Sequence, residues 1–136
     1  DYRLQVEKRG LFNTPNTFGI YALERVLAWV EDLGGLDAMA ARNQAKADAL
    51  YGEIDRTDFY SGHAQTADRS NMNVTFRTPS DALDAKFVAE ADAAGLKGLK
   101  GHRSVGGLRA SIYNACPPES VDALVGFMAE FERANG

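Results

Sequence analysis

Two stretches of this 136-residue chain gather groups suited to holding anions. In GHRSVGGLRASIYN, residues 101–114, His102, Arg103 and Arg109 lie among three glycines before the run passes into apolar alternation. Arg109 alternates with Leu108 and Ala110, so on a strand its guanidinium leaves the side opposite them. Its planar fork matches a carboxylate through two parallel hydrogen bonds. His102 and Arg103 fall on the preceding loop, where a second anionic group could be met. Gly98, Gly101, Gly106 and Gly107 leave that backbone free to turn sharply and approach a ligand. A surface hairpin bearing solvated arginines satisfies the same spacing, and spacing alone does not choose. The second stretch, NTPNT at 13–17, opens a helix. There the Asn13 amide and Thr14 hydroxyl join free backbone donors and the positive end of a helix dipole, a combination suited to phosphate. Simple capping explains the same residues, with Thr14 as N-cap and Pro15 at the first helical position.

Groups able to do covalent chemistry are harder to find. His63 lies in a polar loop and reads as exposed and idle; with His102 and Cys116 it gives no zinc-ligand spacing. No serine sits in a nucleophile elbow, and the glycine run lacks the lysine and hydroxyl of a P-loop. The acidic residues read as solvated helix positions. Lys8, Lys46, Lys86, Lys97 and Lys100 read as surface lysines. Places to hold anions without a group to transform them are what one part of a composite active site would contain. Cys116, before Pro117 and Pro118, reads as a packing residue, and a single cysteine suits a reducing compartment. The formal charge of −4 argues against a nucleic-acid partner. No apolar run has the length of a membrane span and no signal-peptide pattern opens the chain, so a cytoplasmic location is expected. The opening DYRLQVEKRG, without methionine, reads as the interior of something longer.

The elements that must position these groups follow from apolar period. Ile20, Leu23, Leu27 and Val30 make one helical stripe, flanked by Val26 and Leu33 and closed by Gly34 and Gly35. A second helix from about Leu36 places Leu36, Met39, Asn43, Ala47, Leu50 and Ile54 on one face, and Trp29 and Met39 read as core. A short aromatic strand at Phe59–Tyr60 and a polar loop precede Met72, Val74 and Phe76, whose alternation predicts a half-buried strand. Ser80 caps a third helix that Gly95 ends. Two short strands are expected around the glycine-rich connection, with Leu108, Ala110 and Ile112 inward and Arg109, Ser111 and Tyr113 outward. A last helix after PPES carries Val121, Leu124, Met128 and Phe131. This order predicts an α+β fold, helices packed on a small, largely antiparallel sheet. The first helix precedes every strand and looks like a bridge to something absent.

FNTPNTF, LYGEID, DFY, NMNVTF, GLKGHRSVGGLRASIYNA and FMAEFERANG, in this order and spacing, resemble the C-terminal part of the phosphoserine aminotransferases. These are class V pyridoxal-phosphate-dependent aminotransferases. The resemblance covers essentially the whole chain and implies the C-terminal small domain of the type I aminotransferase fold over residues 17–136. Residues 1–16 would then be a segment of the large domain and its cofactor-phosphate loop. It implies a homodimer that moves an amino group between glutamate and 3-phosphohydroxypyruvate, giving phosphoserine and 2-oxoglutarate in serine biosynthesis. In many bacteria a related substrate feeds vitamin B6 (pyridoxine) synthesis. By the same resemblance, Asn13 and Thr14 would meet the phosphate of pyridoxal 5'-phosphate in the neighbouring subunit. Arg109 would take the substrate α-carboxylate, and His102 and Arg103 the distal anion. Asn16 stands where the family often has a second proline, and Ser104 where valine is common; neither removes an assigned group. The family's cofactor-bearing lysine, its pyridine-pairing aspartate and its stacking aromatic belong upstream, so these residues alone are expected to be inactive. A non-catalytic anion-binding or dimerisation module retaining this fold is the alternative.

Overall fold

Val74 and Phe76 alternate with Asn73, Thr75 and Arg77, and these five residues form a strand, β2 (Asn73–Arg77), in the computed structural model, which describes residues 1–136. A two-residue strand, β1 (Ser61–Gly62), pairs with one edge and β3 (Leu108–Ser111) with the other, both antiparallel, in the order β1-β2-β3. Val74 stands opposite Ala110 and Phe76 opposite Leu108, and all four are buried. Cross-strand partners share a face, so Thr75 and Arg109, and Asn73 and Ser111, occupy the other side. That alternation is the one the sequence predicts for Val74 and Phe76, but Met72, expected with them, precedes the strand and is only half-buried.

The chain divides into two compact units, residues 1–39 and 40–136. In the second, α3 (Gly35–Arg56), which begins in the first, brings Ala47, Leu50 and Ile54 to the apolar sheet face. The helix α4 (Asp81–Ala93) adds Phe87 and Ala91, and α5 (Pro118–Asn135) adds Val121, Leu124, Met128 and Phe131. The result is the α+β arrangement expected, with helices on a small antiparallel sheet. Phe87 is fully buried, its ring edge-on to Phe76, Phe127 and Phe131 at 5.9, 5.0 and 5.0 Å between centroids. Ser80 caps α4 by accepting from the Leu83 amide at 3.2 Å, and Gly95 follows its end in the left-handed region at φ +89°. Pro118 occupies the first turn of α5, so that helix starts inside PPES rather than after it.

Several expectations are corrected. The aromatic strand begins two residues late, because Tyr60 turns into the core and donates its hydroxyl to the Met128 carbonyl at 2.8 Å. Of the two strands around the glycine-rich connection only β3 forms, the first being reduced to a bridge between Lys100 and Leu108. Lys46 is not a surface lysine. It is 2 % exposed, and its ammonium donates to the Ile112, Tyr113 and Cys116 carbonyls at 3.0, 2.7 and 3.2 Å. Burial pushes its pKa below the ordinary lysine value. Two carboxylates are also buried rather than solvated. Glu53 receives Arg56, which reaches Glu132 as well, and Asp84 accepts from the Thr78 amide and hydroxyl, both at 2.8 Å.

In residues 1–39 a short helix, α1 (Tyr2–Glu7), was not foreseen, since it buries nothing and rests on a local cap from Asp1 to the Arg3 amide at 3.0 Å. The long helix α2 (Thr17–Asp32) ends where expected, with Gly34 and Gly35 at φ +102° and +79°. Its N-cap is Asn16, accepting from the Gly19 amide at 3.0 Å, and not Thr14. Pro15 therefore lies before the helix, its carbonyl accepting from Thr17 at 2.8 Å. The stripe forms, yet Ile20, Leu23 and Leu27 are 59, 58 and 54 % exposed, and only Val30 of the four is half-buried. Trp29 at 36 % and Leu36 at 80 % are likewise not core, whereas Met39 is buried. Helical period reports which face is apolar; it does not report what covers it.

Candidate functional site

The glycine-rich run folds as a tight turn at the root of β3. Gly101 donates to the Gly107 carbonyl at 2.9 Å, and the His102 carbonyl accepts from Val105 at 2.9 Å and Gly106 at 2.8 Å. His102 and Arg103 are thereby held exposed on the turn. A cleft of about 610 Å³ lies between this turn and the first part of α4, lined among others by Arg77, Asp81, Lys100, His102, Arg103 and Val105. Asp84 also lines it, but its carboxylate is engaged by Thr78. The cleft therefore has a cationic rim with one weakly engaged carboxylate, Asp81, 3.5 Å from Arg77.

The His102 ring is oriented by Ser104. Its Nδ1 accepts from the Ser104 amide at 3.3 Å and lies 2.7 Å from the Ser104 hydroxyl. A backbone N–H can only donate, so in the neutral ring the proton belongs on Nε2, as a donor. Ser104, at a position where the resemblance led one to expect valine, thus adds an orienting contact that the family motif does not suggest.

Arg109 lies in β3, its amide donating to the Leu99 carbonyl at 2.8 Å and its Cα opposite Thr75. Its guanidinium forms no ion pair, and its Nε is buried without a partner. Arg42 and Arg69 also have a buried, unpaired Nε, but Arg69 gives both terminal nitrogens to Asp55 at 2.5 and 2.7 Å. Arg109 does not line the cleft of His102 and Arg103. The structure therefore brings His102 and Arg103 together and places Arg109 outside their cleft, on the strand that their turn leads into.

Asn13 and Thr14 belong to the other unit, in the irregular segment between α1 and α2, both exposed and with side chains free of hydrogen bonds. An amide and a hydroxyl with unused donors fit a phosphate group. The lysines do not fit the role of carrying a cofactor: Lys8, Lys86, Lys97 and Lys100 are exposed, and the Lys46 ammonium is spent on three carbonyls. His63 is exposed, as expected, and no helix is long and apolar enough to cross a membrane.

Residues 2–124 match the sequence family described as aminotransferase class-V. The chain belongs to that family. Among curated members it is similar to the phosphoserine aminotransferase of Desulfatibacillum aliphaticivorans, 54 % identical over 99 % of this chain and 38 % of that protein. The enzyme of the same name from Syntrophobacter fumaroxidans is 56 % identical over 96 % of this chain and 36 % of its own length. Among solved structures, phosphoserine aminotransferase from Bacillus circulans subsp. alkalophilus superposes with a TM-score of 0.93 at 49 % identity, over 99 % of this chain and 38 % of that one. The PLP-bound phosphoserine aminotransferase from Trichomonas vaginalis gives 0.85 at 45 % identity, over 95 and 37 %. This chain thus spans less than two fifths of the relatives it matches, and it shares their fold over that part.

Proposed function

We propose that this chain forms the C-terminal part of a pyridoxal-phosphate-dependent phosphoserine aminotransferase, residues 1–16 belonging to its large domain and 17–136 to its small one. The observation that carries the reading is a guanidinium without an internal anion on the strand that follows a turn whose cleft is rimmed by further cations. A substrate with an α-carboxylate at one end and a phosphate or second carboxylate at the other matches that pair of sites. Arg109 grips the α-carboxylate through its fork. His102, through Nε2–H, and Arg103 take the phosphate of phosphoserine or the distal carboxylate of glutamate. Asn13 and Thr14 donate to the cofactor phosphate in the neighbouring subunit of a homodimer. Pyridoxal phosphate, when bound, supplies the electron sink for amino transfer, and its attachment falls to a lysine outside these residues. The exposed apolar stripe of α2 fits a helix covered by the large domain or the second subunit. On this reading the protein works in the cytoplasm and in serine biosynthesis, with the vitamin B6 precursor as a second substrate.

The test uses the complete protein with pyridoxal phosphate, phosphoserine and 2-oxoglutarate. Glutamate is expected to form; its absence with active cofactor bound overturns the proposal. In the same protein, Asn13→Ala with Thr14→Val is expected to weaken cofactor retention about tenfold, the loss of roughly one net hydrogen bond. Cofactor absorbance after dialysis reads this directly, and unchanged retention removes the phosphate assignment.

A further inference from the structure

We infer that Arg77 is a positioning residue for the proposed reaction, holding the 101–107 turn so that His102 and Arg103 face the substrate's distal anion. The inference rests on the function proposed above and adds to it a residue that the motif does not contain. Arg77 ends β2 and alternates with buried Phe76, so it lies on the same sheet face as Thr75 and its partner Arg109. Its guanidinium, though partly exposed, is held at both terminal nitrogens. One terminal nitrogen donates to the Val105 carbonyl, and the other stands 3.5 Å from Asp81 on the first turn of α4. The bond to Val105 is the one hydrogen bond joining residues 102–106 to another element; the rest lie within the turn itself.

The glycines of the motif fit around this side chain. A Cβ on Gly107 would lie 2.9 Å from Arg77 Cγ and 2.9 Å from the Phe76 carbonyl oxygen, and one on Gly106 would lie 3.4 Å from an Arg77 terminal nitrogen. Both glycines have positive φ, +67° at Gly107 and +75° at Gly106. They let the turn lie directly on the arginine stem, which makes Arg77 a floor for the turn as well as a tether. Asp81 is 96 % exposed and distant enough for screening, so the charge of Arg77 still adds to the positive field of the cleft.

In the complete enzyme, Arg77→Met keeps most of the stem and removes the tether. It is expected to raise the KM for phosphoserine about five- to tenfold while kcat stays within about twofold, because a loosened turn weakens capture rather than chemistry. Arg77→Lys, which can still donate to one carbonyl, is expected to restore most of the lost affinity. In an Arg103→Ala background the Met substitution should cost much less, since the group it positions is gone. Full multiplication of the two effects, or an unchanged KM in Arg77→Met, overturns the inference. Hydrogen exchange separates this from the reaction assignment. The Val105 and Gly106 amides are expected to exchange about tenfold faster in Arg77→Met even if phosphoserine is not a substrate. No glutamate from the unsubstituted protein would overturn the proposed function alone, while unchanged exchange would overturn the role of Arg77.

Discussion

On the proposed function, replacing Arg109 by alanine in the complete protein is expected to lower kcat/KM for both glutamate and phosphoserine by about two to three orders of magnitude, with cofactor absorbance nearly unchanged. The size follows from removing one partner of a hydrogen-bonded charge pair, roughly 2–5 kcal/mol, at about 1.4 kcal/mol per decade. The structure makes that estimate specific. Arg109 has no carboxylate within the chain, so truncation releases no internal partner and the loss falls on an external anion. Its backbone is fixed on both sides, by the Leu99 carbonyl at 2.8 Å and by the β2 ladder, so its fork is presented from a rigid strand. Arg109→Lys keeps the charge and loses the fork; a loss of about tenfold or more is expected to remain. An unaltered KM for glutamate in Arg109→Ala would remove the carboxylate assignment and leave Arg109 a solvated strand residue.

What the sequence disclosed about this site depended on how each group is held. Arg109 was legible because strand alternation fixes a side, and the register with Thr75 confirms that side. The buried face of β2 was legible for the same reason and that of α5 from its helical period: Val74, Phe76, Val121, Leu124, Met128 and Phe131 all reach the core. Lys46 was misread because type and neighbours suggest a solvated amine, while its burial is decided by three carbonyls that lie 66 to 70 residues away. The same alternation that assigned Arg109 also put Arg77 on the outer face, and it could have been singled out. Its bond to Val105 crosses 28 residues, and no local pattern announces it. Along α2, the period found the apolar face of Ile20, Leu23 and Leu27 without revealing that it stays uncovered here. At its start Thr14 and Asn16 are both good capping residues, and only the geometry around Pro15 selects the second.

Lys46→Met is expected to destabilise the folded protein by about 2–4 kcal/mol, read as a shift of the urea midpoint at unchanged slope. Methionine nearly conserves the volume, so the substitution opens little cavity and isolates the polar effect. What it leaves behind are the acceptors of the 112–116 turn. The Tyr113 carbonyl keeps a second donor, the Cys116 amide at 2.9 Å, but the buried bond to Ile112 has no replacement within the chain. Opposing this loss is relief of the ammonium's own desolvation, the cause of its lowered pKa, and that relief keeps the net cost below the sum of three charged hydrogen bonds. Asn43, one turn earlier on α3, donates to Asn114 at 2.7 Å, so a single helix face grips the chain immediately after β3. The consequence extends to the site, because β3 carries Arg109 and leads directly into the gripped turn. Lys46→Met should therefore raise the KM for glutamate severalfold even at temperatures where the variant is fully folded. A variant as stable as its parent, with an unchanged KM, would show that water can satisfy those carbonyls and that the strand needs no clamp.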